Sequence, residues 1–79
     1  MNHIAKIQHP MADEVSVGIS KYHYCSFPLS VELAFFKNGE WVTDILPEFA
    51  PYADGAAGST LVYGWVPIDV FANFLVRYV

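Results

Sequence analysis

At 79 residues the chain has the length of one small domain, and we predict a single domain over residues 1–79. The formal charge is −4, and from Asn38 onward five acids are opposed by a single base, Arg77. This distribution argues against direct nucleic-acid binding through a basic patch, since phosphate contacts need clustered cations. The acidic half suits either a basic partner surface or simple solvation.

The composition also bears on partners and location. Hydrophobic residues are 54% and aromatic residues 16% of the chain. A small domain leaves much of its surface exposed, so this surplus favours an oligomer or a partner, unless large side chains simply fill a thin core. Cys25 is alone, so no intramolecular disulfide is expected. No apolar run approaches the ~20 residues of a membrane span and no signal peptide is evident, so we expect a cytoplasmic protein with no membrane partner.

The chain begins with weak strand patterns that become clearer. Ile4 and Ile7 could anchor a short strand or a helical turn, which Pro10 would end. In residues 15–19, apolar residues alternate with small ones, which predicts a strand with one buried face. Residues 22–25 either continue that strand or form a second short one.

The most definite prediction is a β-hairpin within residues 31–45 that turns at Asn38-Gly39. Both turn residues tolerate positive φ, which a two-residue type I′ turn requires. Such a turn sets the register of the strands. Phe36 should therefore lie opposite Trp41 as a cross-strand aromatic pair.

Both sides of this hairpin are apolar. Phe36 and Trp41 lie on one side, whereas Phe35 and Val42 lie on the other. A hairpin with one wetted side would instead alternate apolar and polar residues. We predict that the rest of the chain covers one side, and that the other side is a candidate contact surface; the pattern leaves open which is which.

A loop and a last strand follow the hairpin. Residues 47–59 contain two prolines and two glycines, which predicts a loop that is functional or mobile. Residues 60–66 read as a strand with Leu61, Tyr63 and Trp65 on one side. Gly64 within it indicates a bulge or the close approach of another element.

A C-terminal helix is predicted after Pro67, since proline suits a first helical turn. Its polar residues, Asp69, Asn73 and Arg77, form one narrow row, and apolar residues cover the rest. A surface helix normally shows a broad polar face, so we expect the sheet to cover one side and another chain a second side. The elements together predict an α+β fold: a small antiparallel sheet of three to four strands with one C-terminal helix packed on a face.

Side chains with catalytic or metal-binding chemistry are few and poorly spaced. His23 and Cys25 would share a strand face, but zinc-site spacings and a second thiol are missing. As a nucleophile and base, the same pair lacks an orienting partner. Asp44 and Glu48 could pair as catalytic acids, but acids flanking a loop are commonplace. We therefore predict no catalytic, cofactor-binding or metal-binding residues, and no enzyme.

Aromatic and acidic residues of the second half carry the remaining signal. Aromatic residues are enriched at the hot spots of protein interfaces, and acids speed the capture of a basic partner. The residues predicted to bind a partner are Phe35, Trp41, Asp44, Glu48, Phe49, Tyr52 and Asp54.

Two short motifs resemble a known family. Residues 31–42, VELAFFKNGEWV, and residues 63–68, YGWVPI, are similar to small phage and prophage proteins of the domain-of-unknown-function family numbered 551. That family has an Asn-Gly-x-Trp turn, matched by Trp41, and a strand ending in Trp-Met-Pro-Leu, matched by Trp65 and Pro67. A helix replaces the family's Pro-rich tail here, and its N-terminal Trp-Ile is absent. The family has no assigned activity, so the resemblance implies a phage setting and a β-rich fold rather than a reaction.

These features favour a phage or mobile-element accessory protein that binds and inhibits a host protein, such as a defence system, in the manner of an anti-CRISPR protein. Blocking would be steric or electrostatic, and the host protein would present a basic surface. The alternative is a homo-oligomeric structural or scaffold protein that uses its helix as the self-interface, for example as a homodimer. A small enzyme is a third hypothesis, and the least favoured.

Overall fold

The computed structural model describes residues 2–18, 30–54 and 60–79. An α-helix, α1, and a 3₁₀-helix accompany six strands. The strands are β1 (Asn2–His9), β2 (Ala12–Gly18), β3 (Ser30–Lys37), β4 (Glu40–Trp41), β5 (Ala53–Asp54) and β6 (Val62–Pro67); the 3₁₀-helix spans Pro47–Tyr52 and α1 spans Ile68–Tyr78. The predicted antiparallel sheet and C-terminal helix are both present, but within the described residues the sheet has six strands rather than three to four.

β3 is the central strand of this antiparallel sheet. The strands lie in the order β1-β2-β3-β6-β5, and β4 pairs with β3 on the same edge as β6. The two strands that raise the count are β1 and β5. For the segment around Ile4 and Ile7 the sequence allowed either a short strand or a helical turn. It forms strand β1, which pairs with β2, because this arrangement packs Ala5 and Ile7 on the core.

The hairpin between β3 and β4 has the predicted turn and register. Asn38 and Gly39 have φ values of 53° and 81°, as a type I′ turn requires. Phe36 lies opposite Trp41. The Asn38 backbone N–H also donates a hydrogen bond to the Asp13 carboxylate at 3.0 Å, which ties the turn to β2.

The core lies on one side of the sheet, beneath α1 and the 3₁₀-helix. Phe35 is at its centre, with its ring 5.6 Å from Phe49, 5.4 Å from Tyr63 and 5.7 Å from Phe74. These four rings come from β3, the 3₁₀-helix, β6 and α1, so they join the sheet to both helical elements. The buried apolar set is Ile7, Ala12, Val15, Val31, Leu33, Phe35, Leu46, Phe49, Leu61, Tyr63, Val66, Phe71 and Phe74.

A β-bulge interrupts the pairing of β6 with β3. Val31 pairs with Val66 and Leu33 with Tyr63, so two residues of β6, Gly64 and Trp65, oppose one residue of β3. The bulge confirms one of the two readings of Gly64. It also corrects the predicted alternation: the extra residue returns Val66 to the core beside Tyr63 and leaves Trp65 exposed.

The prediction of a loop over residues 47–59 is wrong for its first part. Residues 47–52 form the 3₁₀-helix and residues 53–54 form β5, because Phe49 inserts fully into the core and its N–H bonds the Leu46 carbonyl at 3.0 Å. Residues 55–59 lie outside the described part of the chain. So do residues 22–25, which include His23 and Cys25. Within the described part, no helix combines the length and apolar character needed to cross a membrane.

Candidate binding surface

The two sides of the sheet are covered differently. α1 and the 3₁₀-helix both pack on the side that carries Phe35. The opposite side, here called the outer face, carries the residues that alternate with the core positions along each strand. By register it includes Ile4, Lys6, Glu14, Ser16, Gly18, Glu32, Ala34, Phe36, Trp41, Asp54 and Val62. Of the two apolar hairpin sides, the helices therefore cover that of Phe35 and Val42.

The outer face has a shallow depression of about 290 Å³ at its centre. Phe36 and Trp41 line it with their rings 5.1 Å apart and edge to face. The Trp41 indole N–H donates a hydrogen bond to the Leu61 carbonyl at 2.8 Å, so the ring is held in one orientation. The indole is still 37% exposed. It is thus an aromatic side chain that is both accessible and fixed before any partner arrives.

A second depression, of about 310 Å³, lies at the end of the hairpin and shares Trp41 with the first. Glu40 and Asp44 line it, and both are exposed. Lys37 is the cation among its lining residues. The carboxylates beside Trp41 therefore form an acidic border next to an apolar contact.

The size of these depressions limits what they can bind. Sites for small molecules usually enclose about 300–1,000 Å³ and bury most of their ligand. Both depressions are at or below the lower end and open to solvent. They suit one or two side chains of another protein better than a substrate or a cofactor.

Trp65 adds a second exposed indole on β6. It lies in the bulge with φ at 55°, in the left-handed region, and it is 55% exposed. A large side chain is rare in this region because its Cβ approaches the backbone. Strain of this kind is retained where the surrounding structure enforces it, and it is often found at functional positions.

The residues predicted to bind a partner are distributed over several places. Trp41 and Asp44 meet at the second depression, where both are exposed. Asp54 is exposed on β5, and Tyr52 is half-buried against the core. Phe35 and Phe49 are fully buried, so neither offers surface to a partner, and we do not keep them as contact residues.

Glu48, another predicted contact residue, belongs to a partly buried polar cluster with His9 and Tyr78. The Tyr78 hydroxyl donates to Glu48 Oε2 at 2.8 Å, and His9 Nε2 lies 3.1 and 3.2 Å from the two carboxylate oxygens. The His9 ring packs 4.6 Å from the Tyr78 ring and 5.7 Å from Phe74. The cluster ties β1, the 3₁₀-helix and α1 together, and its groups already satisfy one another.

Hydrogen bonds in this cluster set the tautomer of His9. The Met11 backbone N–H donates a hydrogen bond to His9 Nδ1 at 3.0 Å, so Nδ1 is the unprotonated nitrogen. Nε2 therefore carries the hydrogen and donates it in a hydrogen bond to the Glu48 carboxylate. A protonated Nε2 has no lone pair to offer a metal. Among the residues that the structure describes, no group of three or more His, Cys, Asp or Glu side chains could hold a metal ion.

The carboxylate of Glu48 is stabilised by its neighbours. Burial raises its pKa, but its own backbone N–H, the Tyr78 hydroxyl and His9 together outweigh burial and hold the pKa below its usual value of 4.5. The hydrogen bond to Glu48 in turn raises the pKa of Tyr78. The cluster acts as a structural clamp between an anion and two donors.

Sequence reasoning identified part of this surface and missed the rest. The pairing of Phe36 with Trp41 was evident from the turn. Trp65 was placed with Leu61 and Tyr63 because regular alternation was assumed, and nothing in the residue pattern marks the left-handed conformation. His9 and Glu48 are 39 positions apart, so only the fold brings them together.

Comparison with family models, curated proteins and solved structures found no match to this chain. The resemblance of residues 31–42 and 63–68 to small phage proteins therefore stays a prediction.

Proposed function

We propose that this chain is a non-catalytic binding protein that docks another protein on its outer face. The observation that carries the proposal is Trp41, an exposed indole fixed by its hydrogen bond to Leu61 and by its contact with Phe36. Immobilised aromatic side chains lose little conformational entropy on binding, and they are the commonest hot spots of protein interfaces.

The border of the outer face indicates the chemistry of the partner. Glu40 and Asp44 line the second depression, beside Trp41. The chain as a whole carries −4. We therefore propose a partner that inserts an apolar side chain beside Trp41 and places Lys or Arg side chains over the surrounding carboxylates.

The specific form of this proposal is the one that the sequence favoured: a phage or mobile-element protein that inhibits a host protein by covering a basic surface. A chain of this size could block a site sterically with the outer face alone. Contact groups that are already fixed on a sheet lose little entropy on binding, which supports a tight complex. An inhibitor needs a tight complex to compete with the host protein's own ligand.

Affinity capture from bacterial lysate tests the proposal. The wild-type chain is immobilised beside Trp41→Ala and Ser16→Arg, each checked for folding by circular dichroism. Ser16→Arg places a bulky cation in the first depression without removing any buried group, since Ser16 lines it and is half-buried. We expect one retained protein that both variants lose and that ~0.5 M salt weakens, because surface charge contacts are screened.

A matched control carries the same charge change on the other side of the molecule. Ala50 is exposed on the 3₁₀-helix, so Ala50→Arg alters the net charge as Ser16→Arg does but leaves the outer face intact. The control should retain the partner at the wild-type level. Equal retention by all four chains, or loss with Ala50→Arg as well, would refute the outer face as the docking site.

A further inference from the structure

The turn between β1 and β2 connects the polar cluster to the second depression. It consists of Pro10 and Met11, which lie between the paired residues His9 and Ala12. The Met11 backbone N–H donates to His9 Nδ1 at 3.0 Å, inside the cluster. Met11 also lines the second depression, together with Trp41. A single residue is therefore fixed by a titratable ring at one end and forms part of the candidate contact surface at the other.

A second hydrogen bond joins the start of β2 to the same depression. Asp13 comes two residues after Met11, and its carboxylate accepts the Asn38 backbone N–H at 3.0 Å. Asn38 also lines the second depression. Since both links start within three residues of the turn, a shift of the turn reaches the depression through Met11 itself and through Asn38.

The His9 ring is held in a form that excludes a second proton. Nδ1 accepts a hydrogen bond from Met11, whereas an imidazolium carries a hydrogen on both ring nitrogens and has no acceptor. A proton on Nδ1 would place two donors against each other. The hydrogen bond from Nε2 to Glu48 is retained, because a carboxylate accepts from either form of the ring. Protonation of His9 therefore removes one particular hydrogen bond, the one that fixes Met11.

The charged and titratable groups around His9 come from the elements packed on it. The 3₁₀-helix supplies Glu48, which favours an imidazolium. α1 supplies the Tyr78 ring, and the Arg77 guanidinium lies 5.1 Å from the centre of that ring and opposes an imidazolium. On β2 the pairing residue is the uncharged Ala12. The pKa of Glu48 is below 4.5 and that of Tyr78 is above 10.0, so between about pH 8 and about pH 5, where imidazoles titrate, both keep their charge state.

We propose that protonation of His9 releases the β1–β2 turn and so loosens the second depression, which makes the candidate contact surface well formed at neutral pH and weaker in acid. His9 is a positioning residue here, because it acts on the surface through Met11. The inference rests on the proposed function in taking the depression as a contact site. The hydrogen bond and its loss are properties of the chain alone.

A nuclear magnetic resonance titration of the purified chain from about pH 8 to about pH 5 tests the coupling. At the upper pH the nitrogen shifts of the His9 ring should show a bare Nδ1 and a protonated Nε2. As the ring titrates, the protection of the Met11 amide against hydrogen exchange should fall by roughly two- to tenfold, as expected for one lost hydrogen bond. The Met11 methyl and Asn38 amide signals should follow with the same midpoint. The Ser16 amide, in the regular part of the β1–β2 pairing, should not.

Two variants separate His9 from the rest of the chain. His9→Gln offers an oxygen acceptor and an N–H donor but does not titrate, so the response of Met11 should disappear. His3→Gln is the matched control, because it removes an exposed imidazole from the same strand and should leave the response intact. A protonated Nδ1 at about pH 8, a Met11 amide that ignores the titration of His9, or a response that survives in His9→Gln would each overturn the proposal. The first two are read from the wild type, so they decide even where His9→Gln does not fold.

Failure of this inference is distinguishable from failure of the proposed function. Every signal in the titration comes from the isolated chain, so a chain that captures no partner still shows or lacks the response of Met11. Capture of a partner through Trp41 together with an unresponsive Met11 would keep the docking site and remove its control by pH.

Discussion

The left-handed conformation of Trp65 predicts an inverted order of stability for two substitutions. Trp65→Gly and Trp65→Ala both delete the indole, so both lose the same packing, and they differ by one methyl group. In a regular strand, Gly is less stable than Ala by about 0.5–1 kcal/mol, because its unfolded state has more conformational freedom. At φ = 55° an L-residue is disfavoured by roughly 1–2 kcal/mol, and Gly escapes that penalty.

The net result is that Trp65→Gly should be more stable than Trp65→Ala by about 1 kcal/mol. In a domain of this size that difference corresponds to about 4–8 °C in Tm. Urea unfolding followed by circular dichroism measures it, provided that both variants have the same slope. Ile4 is the control position, because it is exposed in β1 and pairs regularly with Ser16. There the order should be normal, with Ile4→Ala more stable than Ile4→Gly.

Trp65→Ala equal to or more stable than Trp65→Gly would refute the left-handed assignment and the bulge with it. The same pair also separates strain from function. If Trp65 contacts the partner, both variants lose affinity equally although their stabilities differ. If Trp65 affects binding only through the fold, the more stable glycine variant should bind more tightly.

Three further predictions test the core, the hairpin turn and the polar cluster. Tyr63→Phe should lower the free energy of unfolding by about 1–3 kcal/mol, because the buried Leu46 N–H donates to the Tyr63 hydroxyl at 3.0 Å and would lose its partner; urea melts check this. Gly39→Ala should be less stable by about 1 kcal/mol in the same assay, because the φ of 81° is unfavourable for an L-residue. An added Cβ would meet nothing within 4 Å, so this loss of stability comes from the backbone conformation alone. Because the pKa of Glu48 is lowered in the folded state, its carboxylate stabilises the fold at pH values above its ordinary pKa of 4.5, and this contribution is lost as the pH falls through the folded-state pKa. Glu48→Gln should therefore flatten the acid side of a plot of unfolding free energy against pH. An unchanged slope would contradict the clamp.

The predictable part of this fold depends on local sequence. Asn38-Gly39 specifies a two-residue turn by itself, and the turn then sets the pairing of Phe36 with Trp41. Pro67 and the acid after it mark the start of α1 in the same way. Each of these features needs only neighbouring residues, so the residue pattern was sufficient to identify them.

The rest depends on contacts between distant segments. The 3₁₀-helix forms where prolines and a glycine-rich flank suggested a loop, because Phe49 finds a place among Phe35, Tyr63 and Phe74. Burial of such a ring contributes roughly 1.5–3 kcal/mol and outweighs weak local preferences. The same burial removed Phe35 and Phe49 from the predicted contact residues, since an aromatic residue type does not show whether its ring faces inward.

The packing of the core decides which side of the hairpin is left for a partner. The residue pattern made both sides apolar, with Phe35 on one and the pair Phe36 and Trp41 on the other. Phe49 of the 3₁₀-helix and Phe74 of α1 both pack on Phe35, so both helical elements cover that side. Phe36 and Trp41 therefore remain in contact with each other on the outer face, where Trp41 is exposed.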